Sequence, residues 1–375
     1  MRSDASSLDD TEMDPTSSAS CWWRSLEEFA SRKWKADRAP LIPRLRVLRE
    51  MERLALVADE GLEELRHKLT SYKAGDLWLP AGGVRKDDMV IPSVVTVLLV
   101  GLSGAGKSAL VNSMYSVLGR SGIIPFAQTS NGSSGPTTMF LEEHNVLRSI
   151  RSGFCLYDTR GLDMNRIVEG LEDVKGWMAC GVRHYQPCLR PGDMELLTRD
   201  GNLPSLSSAR FCTRQVNSVL VVADVSEIYE SLKAGDSRPL EATAELFRCP
   251  AIRKSNENPL LVLTHGDKLS PEDRIDARIK ICGHLGISEA TGAYDIACLM
   301  EKGILPEVSD PVTAFALTEM IYRSLIQSDR TYLPKRKPID WVLQFLSFIM
   351  CAIASFFAFL ALVFSKLGRR NKLKI

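Results

Sequence analysis

Eight consecutive residues, GLSGAGKS from Gly101 to Ser108, combine three glycines with a lysine and a hydroxyl. Gly101, Gly104 and Gly106 let the backbone turn tightly enough for successive N–H groups to converge on one anion. Ser103, Ala105 and Ala109 complete the candidate main-chain contacts. Lys107 adds a point charge suited to β- and γ-phosphates, and the Ser108 hydroxyl suits Mg²⁺. A helix opening at this point turns the positive end of its dipole to the same place. The chemistry implied is the binding of a nucleoside triphosphate with Mg²⁺.

Such a loop works only between a strand and a helix. Val94–Val100 reads VVTVLLV, a continuous apolar run of the kind that marks a strand buried on both faces. Similar runs lie at Phe154–Tyr157, Ser218–Ala223 and Leu260–Thr264, separated by helical stretches at Ser108–Leu118, Leu240–Phe247 and Pro271–Gly283. Strands alternating with helices predict right-handed βαβ units, hence an α/β fold with a doubly wound, mostly parallel sheet. Ligands of such sheets sit at the carboxyl ends of the strands, where each candidate motif falls.

The order of further motifs resembles the septin- and dynamin-like GTPases and the immunity-associated GTP-binding proteins, over roughly Val94 to Arg330. FCLYDTRGLD (Phe154–Asp163) is similar to the DxxG switch motif of those families. The resemblance implies that Asp158 holds Mg²⁺ through water and that the Gly161 N–H meets the γ-phosphate. In SSGPTTMF (Ser133–Phe140) it implies a switch threonine that reaches Mg²⁺ only when the γ-phosphate is present, Thr138 first and Thr137 second; a loop with no ligand is the alternative. LLVLTHGDKL (Leu260–Leu269) resembles the [NT]KxD base motif and the Thr-initiated version of interferon-inducible GTPase-like proteins. Thr264 opens it, and Asp267 is expected to accept guanine N1–H and the 2-amino group, donors that adenine lacks. His265 stands where the family has a lysine, and an imidazole can still stack along a base. A last base-contacting loop is expected near Ala297–Cys298.

Hydrolysis is less directly written. Leu162 occupies the position where Ras-like enzymes carry a water-orienting glutamine, and it cannot hydrogen-bond. Arg160 offers charge for a transition state, or pairs with Asp163 as a surface residue. The expectation is a GTPase that turns over slowly unless self-associated or assisted by an effector protein. A GTP-binding scaffold with negligible hydrolysis and an ATP-using P-loop kinase or ATPase are the alternatives.

The remaining chain sets the context. The net charge of +1 gives no reason to expect nucleic acid, and nine scattered cysteines without a CxxC pair fit reduced thiols. Residues 1–20 are polar and read as a disordered tail without a secretory h-region, and Met-Arg at the start excludes myristoylation. Residues 21–75 read as helical, with Pro40 and Pro43 interrupting and Leu45, Leu48, Met51 and Ala55 resuming an apolar stripe; a hairpin packed on the main domain and a partner-binding arm both remain open. Residues 76–92 form a linker, 93–330 the nucleotide domain with an insertion at 175–213, and 331–340 a basic linker. Trp341–Phe364 carries no charge and spans roughly 36 Å as a helix, enough to cross about 30 Å of hydrocarbon. A basic tail, 365–375, follows. A buried core helix and a re-entrant hairpin are the competing readings. The expected arrangement is a single-pass anchor with the nucleotide domain in the cytosol, on an outer mitochondrial, plastid, peroxisomal or ER membrane. Cys180, His184 and Cys188 offer soft ligands, with Cys212 possible as a fourth for zinc, against a default of ordinary thiols.

Overall fold

The computed structural model describes residues 22–23, 41–80, 85–120, 122, 124–129, 138–149, 151–190, 193, 211–253, 258–298, 304–306, 309–335 and 338–372. They fall into two compact units: the described residues of Met1–Leu79 with Pro92–Thr331, and those of Pro80–Ile91 with Tyr332–Ile375. The expected disordered tail and the segment from Arg24 to Pro40 lie outside the described residues.

The first unit is built on a seven-stranded sheet of order β4-β2-β3-β1-β5-β6-β7. Its strands are β1 (Val95–Gly101), β2 (Phe140–His144), β3 (Phe154–Asp158), β4 (Gln186–Pro187), β5 (Ser218–Asp224), β6 (Leu260–Thr264) and β7 (Ala293–Asp295). Pairings among β3, β1, β5, β6 and β7 are parallel, whereas β2 runs antiparallel to both β3 and β4. The four continuous apolar runs are the four central strands β1, β3, β5 and β6. Every residue of β1, β3 and β6 is buried, because helices cover both faces.

On one face Val95, Val97 and Leu99 pack with α1 (Leu41–Ser71), α2 (Lys107–Val117) and the long helix α7 (Pro311–Arg330). On the other, Leu98 and Val100 pack with α3 (Ile167–Cys180), α4 (Val225–Lys233), α5 (Arg238–Phe247) and α6 (Pro271–Leu285). The alternation of β1 side chains thus feeds two separate cores.

Helix α1 is continuous through Pro43, which was expected to interrupt it. Proline in a first helical turn forfeits only an N–H that has no intrahelical acceptor. Val47, Met51, Leu54 and Ala58 form the buried stripe of α1, and Gly61 admits Phe315 of α7, whose ring would lie 2.7 Å from an added Cβ. The end of α1 is tied down by Asp329, whose carboxylate accepts from Tyr72 Oη at 2.7 Å, Gly75 N at 3.1 Å and Leu77 N at 2.9 Å.

In the second unit, Val90 N donates to Leu333 O at 2.9 Å beside a bridge between Met89 and Pro334. Its helix α8 (Pro338–Lys372) includes Leu343–Leu362, with mean hydropathy 2.5 and none of that stretch buried. At about 1.5 Å per residue this stretch is about 30 Å long, the thickness of a hydrocarbon core. A buried core helix is therefore the wrong reading of this segment, since side chains such as Phe348 and Phe359 stand largely exposed.

Candidate functional site

Strand β1 ends at Gly101, and the chain enters α2 at Lys107, so Leu102–Gly106 forms a loop at the carboxyl edge of the sheet centre. Gly106 caps α2 with φ of 79°, a conformation that disfavours side chains, and an added Cβ would sit 3.2 Å from His265 Cε1. Residues at the ends of two other strands, β6 and β3, fix the loop. The Thr264 hydroxyl at the end of β6 donates toward Ala105 O at 2.8 Å. Beyond β3, Leu162 N donates to Gly101 O at 2.9 Å, and Ser103 N donates to Leu162 O at 2.8 Å. Gly161 crosses so near that a Cβ there would lie 2.5 Å from Ser103 Cα. The expected sites of phosphate contact, Gly101, Ser103, Gly104, Ala105, Gly106, Lys107, Ser108 and Ala109, thus form one turn from strand to helix.

Lys107 is buried, and its Nζ donates to Gly101 O at 3.2 Å and Leu102 O at 3.0 Å. Burial pushes its ammonium down to about 8, against the pull of the Asp158 charge and with Arg190 adding repulsion. Ser108 Oγ donates to Asp158 Oδ2 at 2.5 Å, while Asp158 Oδ1 is buried with no hydrogen-bond partner among the described residues. Burial raises the Asp158 pKa, opposed by the Lys107 charge and the Ser108 hydrogen bond. A dry carboxylate with one idle oxygen beside a serine hydroxyl has the hard oxygen donors that Mg²⁺ requires. Thr138 lies two residues before β2. Because Glu142 pairs with Asp158 in antiparallel register, the chain before Phe140 lies toward the carboxyl end of β3, where Asp158 sits. Thr137 is outside the described residues.

At the β6 end, His265 adopts a left-handed φ of 57°, and its Nδ1 lies 3.0 Å from Asp224 Oδ2. Burial works to raise the Asp224 pKa, but hydrogen bonds from His265, Ser226 and the Glu227 N–H hold it at about 2. The contact with the Asp224 carboxylate fixes the imidazole with its edge against Gly106. Asp224 was not singled out in the sequence; in the structure it also caps α4, accepting from Glu227 N. Asp267 is exposed on a single 3₁₀ turn, Gly266–Lys268. Arg274, paired with Asp295 at 2.6 Å, backs Gly266 from below. Cys298 shares this corner: burial pushes its thiol up to about 12, an interaction with Ser113 opposes that, and the Asp267 charge adds to it. The loop expected at Ala297–Cys298 thus lies near enough to Asp267 for that charge to act on the Cys298 thiol.

Two expectations change. Arg160 is neither a surface residue nor a partner of Asp163. It is buried with its guanidinium on the Asp193 carboxylate, Nη2 to Oδ1 at 3.2 Å and Nη1 closer to Oδ2, and Nη1 also donates to Cys188 O at 3.0 Å. Asp163 instead caps the turn Met164–Arg166. Leu162 is also buried, packed on Gly170 of α3, so the residue after Gly161 belongs to the core. The Cys180, His184 and Cys188 set does not converge on a metal. His184 Nδ1 accepts from Glu143 N at 2.9 Å, Cys180 is exposed, and no cluster of three or more His, Cys, Asp or Glu residues that could hold a metal ion occurs among the described residues.

No family model matches this chain, and no curated protein matches it. Solved structures do match, among them the crystal structure of a probable GTP-binding protein engB, with a TM-score of 0.28 and 13% identity over 54% of this chain and 89% of that chain. That likeness carries no argument about this site. What the coordinates define is a doubly wound α/β domain with a glycine-rich loop between its central strand and the following helix.

Proposed function

We propose that this chain is a membrane-anchored GTP-binding protein that hydrolyses GTP to GDP and phosphate slowly unless a second copy or an effector assists. The observation that carries the reading is the loop Gly101–Ser108, joined through the Ser108 hydroxyl to Asp158 with its idle buried oxygen. Ser108 and Asp158, with Thr138, would hold Mg²⁺. When bound, the metal would supply positive charge against that of the phosphates. Lys107 now rests on two carbonyls of its own loop, and a triphosphate offers the same ammonium better acceptors. Thr264 ties the base end of the site to the loop. Asp267, exposed beside His265, accepts the two guanine donors, and the Asp224-held imidazole lies along the base.

Slow turnover is supported by Leu162, buried where a water-orienting side chain would stand. The same observation favours the second reading, a GTP-binding scaffold whose hydrolysis is negligible. The apolar stretch of α8, none of it buried, supports insertion as a single-pass anchor, with the nucleotide domain in the cytosol at an outer mitochondrial, plastid, peroxisomal or ER membrane. Competition of GTP and ATP for fluorescent GTP on the full chain in nanodiscs tests the base assignment. The Asp267→Ala variant should lose the preference for GTP over ATP while keeping phosphate-dependent binding. Unchanged preference in that variant would remove Asp267 from the account.

A further inference from the structure

The buried pair between Arg160 and Asp193 builds something beyond itself. Strand β4 is antiparallel to β2, and β2 to β3, so β4 points the same way as β3 and releases its chain at the ligand end of the sheet. There Cys188 N donates to Met139 O at 2.8 Å, next to Thr138. Beyond it, the Arg190 N–H donates to Asp193 Oδ2 at 2.6 Å, and Arg160 holds Cys188 O. The Arg190 guanidinium lies over the switch segment, where Nη2 donates to Gly161 O at 3.0 Å. Arg190 is half-buried, and among the described residues its guanidinium has no carboxylate within ion-pair distance. Gly161 in turn crosses the loop so closely that an added Cβ would lie 2.5 Å from Ser103 Cα, which brings Arg190 to the loop. One arginine is thus spent on structure; a second lies over the switch segment with the Gly161 carbonyl as its hydrogen-bond partner and the charges of Asp163, Asp173 and Asp193 acting at longer range.

We propose that Arg190 is a catalytic arginine supplied in cis, facing the γ-phosphate of GTP on the Gly101–Ser108 loop, with Arg160 and Asp193 as its positioning residues. This rests on the GTP reading above. A water oxygen forms a bond to the γ-phosphorus as the bond from that phosphorus to the β–γ bridging oxygen breaks. The bonding pair stays on the bridging oxygen of GDP, and the water's protons leave with inorganic phosphate and solvent. Negative charge grows on the bridging and equatorial oxygens as this happens, and a guanidinium already within the site offsets it without waiting for a partner protein. Gly161, whose carbonyl Arg190 now holds, couples the arginine to the switch.

The test is single-turnover GTP hydrolysis by the full chain in nanodiscs, with affinities for GDP and for GDP plus aluminium fluoride measured in parallel. Arg190→Ala should slow hydrolysis by about 10³-fold, the lower end of what such arginines supply. It should also lose the aluminium fluoride complex while GDP affinity stays within about threefold of wild type. Arg190→Lys should be intermediate. Arg183→Ala, an exposed arginine of the same segment that bonds Thr213, should leave the rate unchanged. Hydrolysis by Arg190→Ala at the wild-type rate overturns the proposal, as does an equal loss of GDP affinity, which would make the residue merely structural. A wild-type chain that binds GTP without hydrolysing it overturns the catalytic role alone; one that binds no GTP overturns the GTP reading as well.

Discussion

Removing the Asp193 carboxylate should damage the nucleotide unit more than removing any exposed charge, and the structure gives the size of the effect. Asp193 and Arg160 are 5% and 7% exposed, and the aspartate accepts from two guanidinium nitrogens and from the Arg190 main chain. In Asp193→Ala the guanidinium keeps only Cys188 O and stays buried with its charge uncompensated. Breaking a buried pair from one side costs about 3–5 kcal/mol, whereas replacing both partners by apolar groups is often neutral or stabilising. At about 2–4 °C per kcal/mol for a domain of this size, Tm should fall by about 6–20 °C. The double variant Arg160→Met with Asp193→Leu should recover most of that loss. Circular-dichroism melts of the full chain in detergent at pH 7 measure all three. Burial works to raise the Asp193 carboxyl, but Arg160 and the Arg190 N–H hold it below the usual range. Its contribution is therefore complete above the unfolded carboxylate pKa and is lost as pH falls through the lower folded value. The gap between wild type and Asp193→Ala should close in that acid window. A single variant that melts within about 2 °C of wild type would refute the reasoning, as would a double variant no more stable than the single.

Two further outcomes follow from the same physics. The Lys107 pKa of about 8 in the folded, ligand-free protein lies below its unfolded value, so between the two the unfolded chain binds more protons and stability rises with pH. The urea midpoint of wild type relative to Lys107→Met should therefore climb from about pH 8 toward about pH 10, and a flat difference would contradict the burial argument. For α8, each lysine placed mid-helix costs about 3 kcal/mol of insertion free energy. The full chain should stay with membranes through alkaline carbonate extraction, while a Phe356→Lys, Phe357→Lys variant should be released; extraction of the wild type would exclude a spanning helix.

Which parts were legible in the sequence follows from where the signal lies. β1, β3, β5 and β6 were readable because burial on both faces leaves no charged residue inside the run, only the β-branched Thr96 in β1. β2 was not: FLEEH carries two glutamates, and Glu143 is stabilised only by distant partners, Tyr157 Oη at 2.7 Å and Arg214 Nε at 3.0 Å. β4 is two residues long and contains a proline, tolerated there at a sheet edge. The glycine-rich loop was legible because its chemistry is contiguous. Asp224 was not, because its hold on His265 spans two strands. Arg160 was paired with Asp163 from the sequence because its partner Asp193 stands 33 residues away in a segment without periodicity. Local spacing marks the groups that bind; the groups that aim them are brought in by the sheet order.

The central claim is that Gly101–Ser108 binds Mg²⁺·GTP. The most direct measurement is titration calorimetry of GTP, with and without Mg²⁺, into the full chain in nanodiscs, compared with Lys107→Ala. We expect saturable binding that weakens without Mg²⁺ and is lost in Lys107→Ala, whose removed ammonium is the loop's only side-chain cation. Absence of GTP binding by the wild type, or binding that Lys107→Ala leaves intact, would contradict the account.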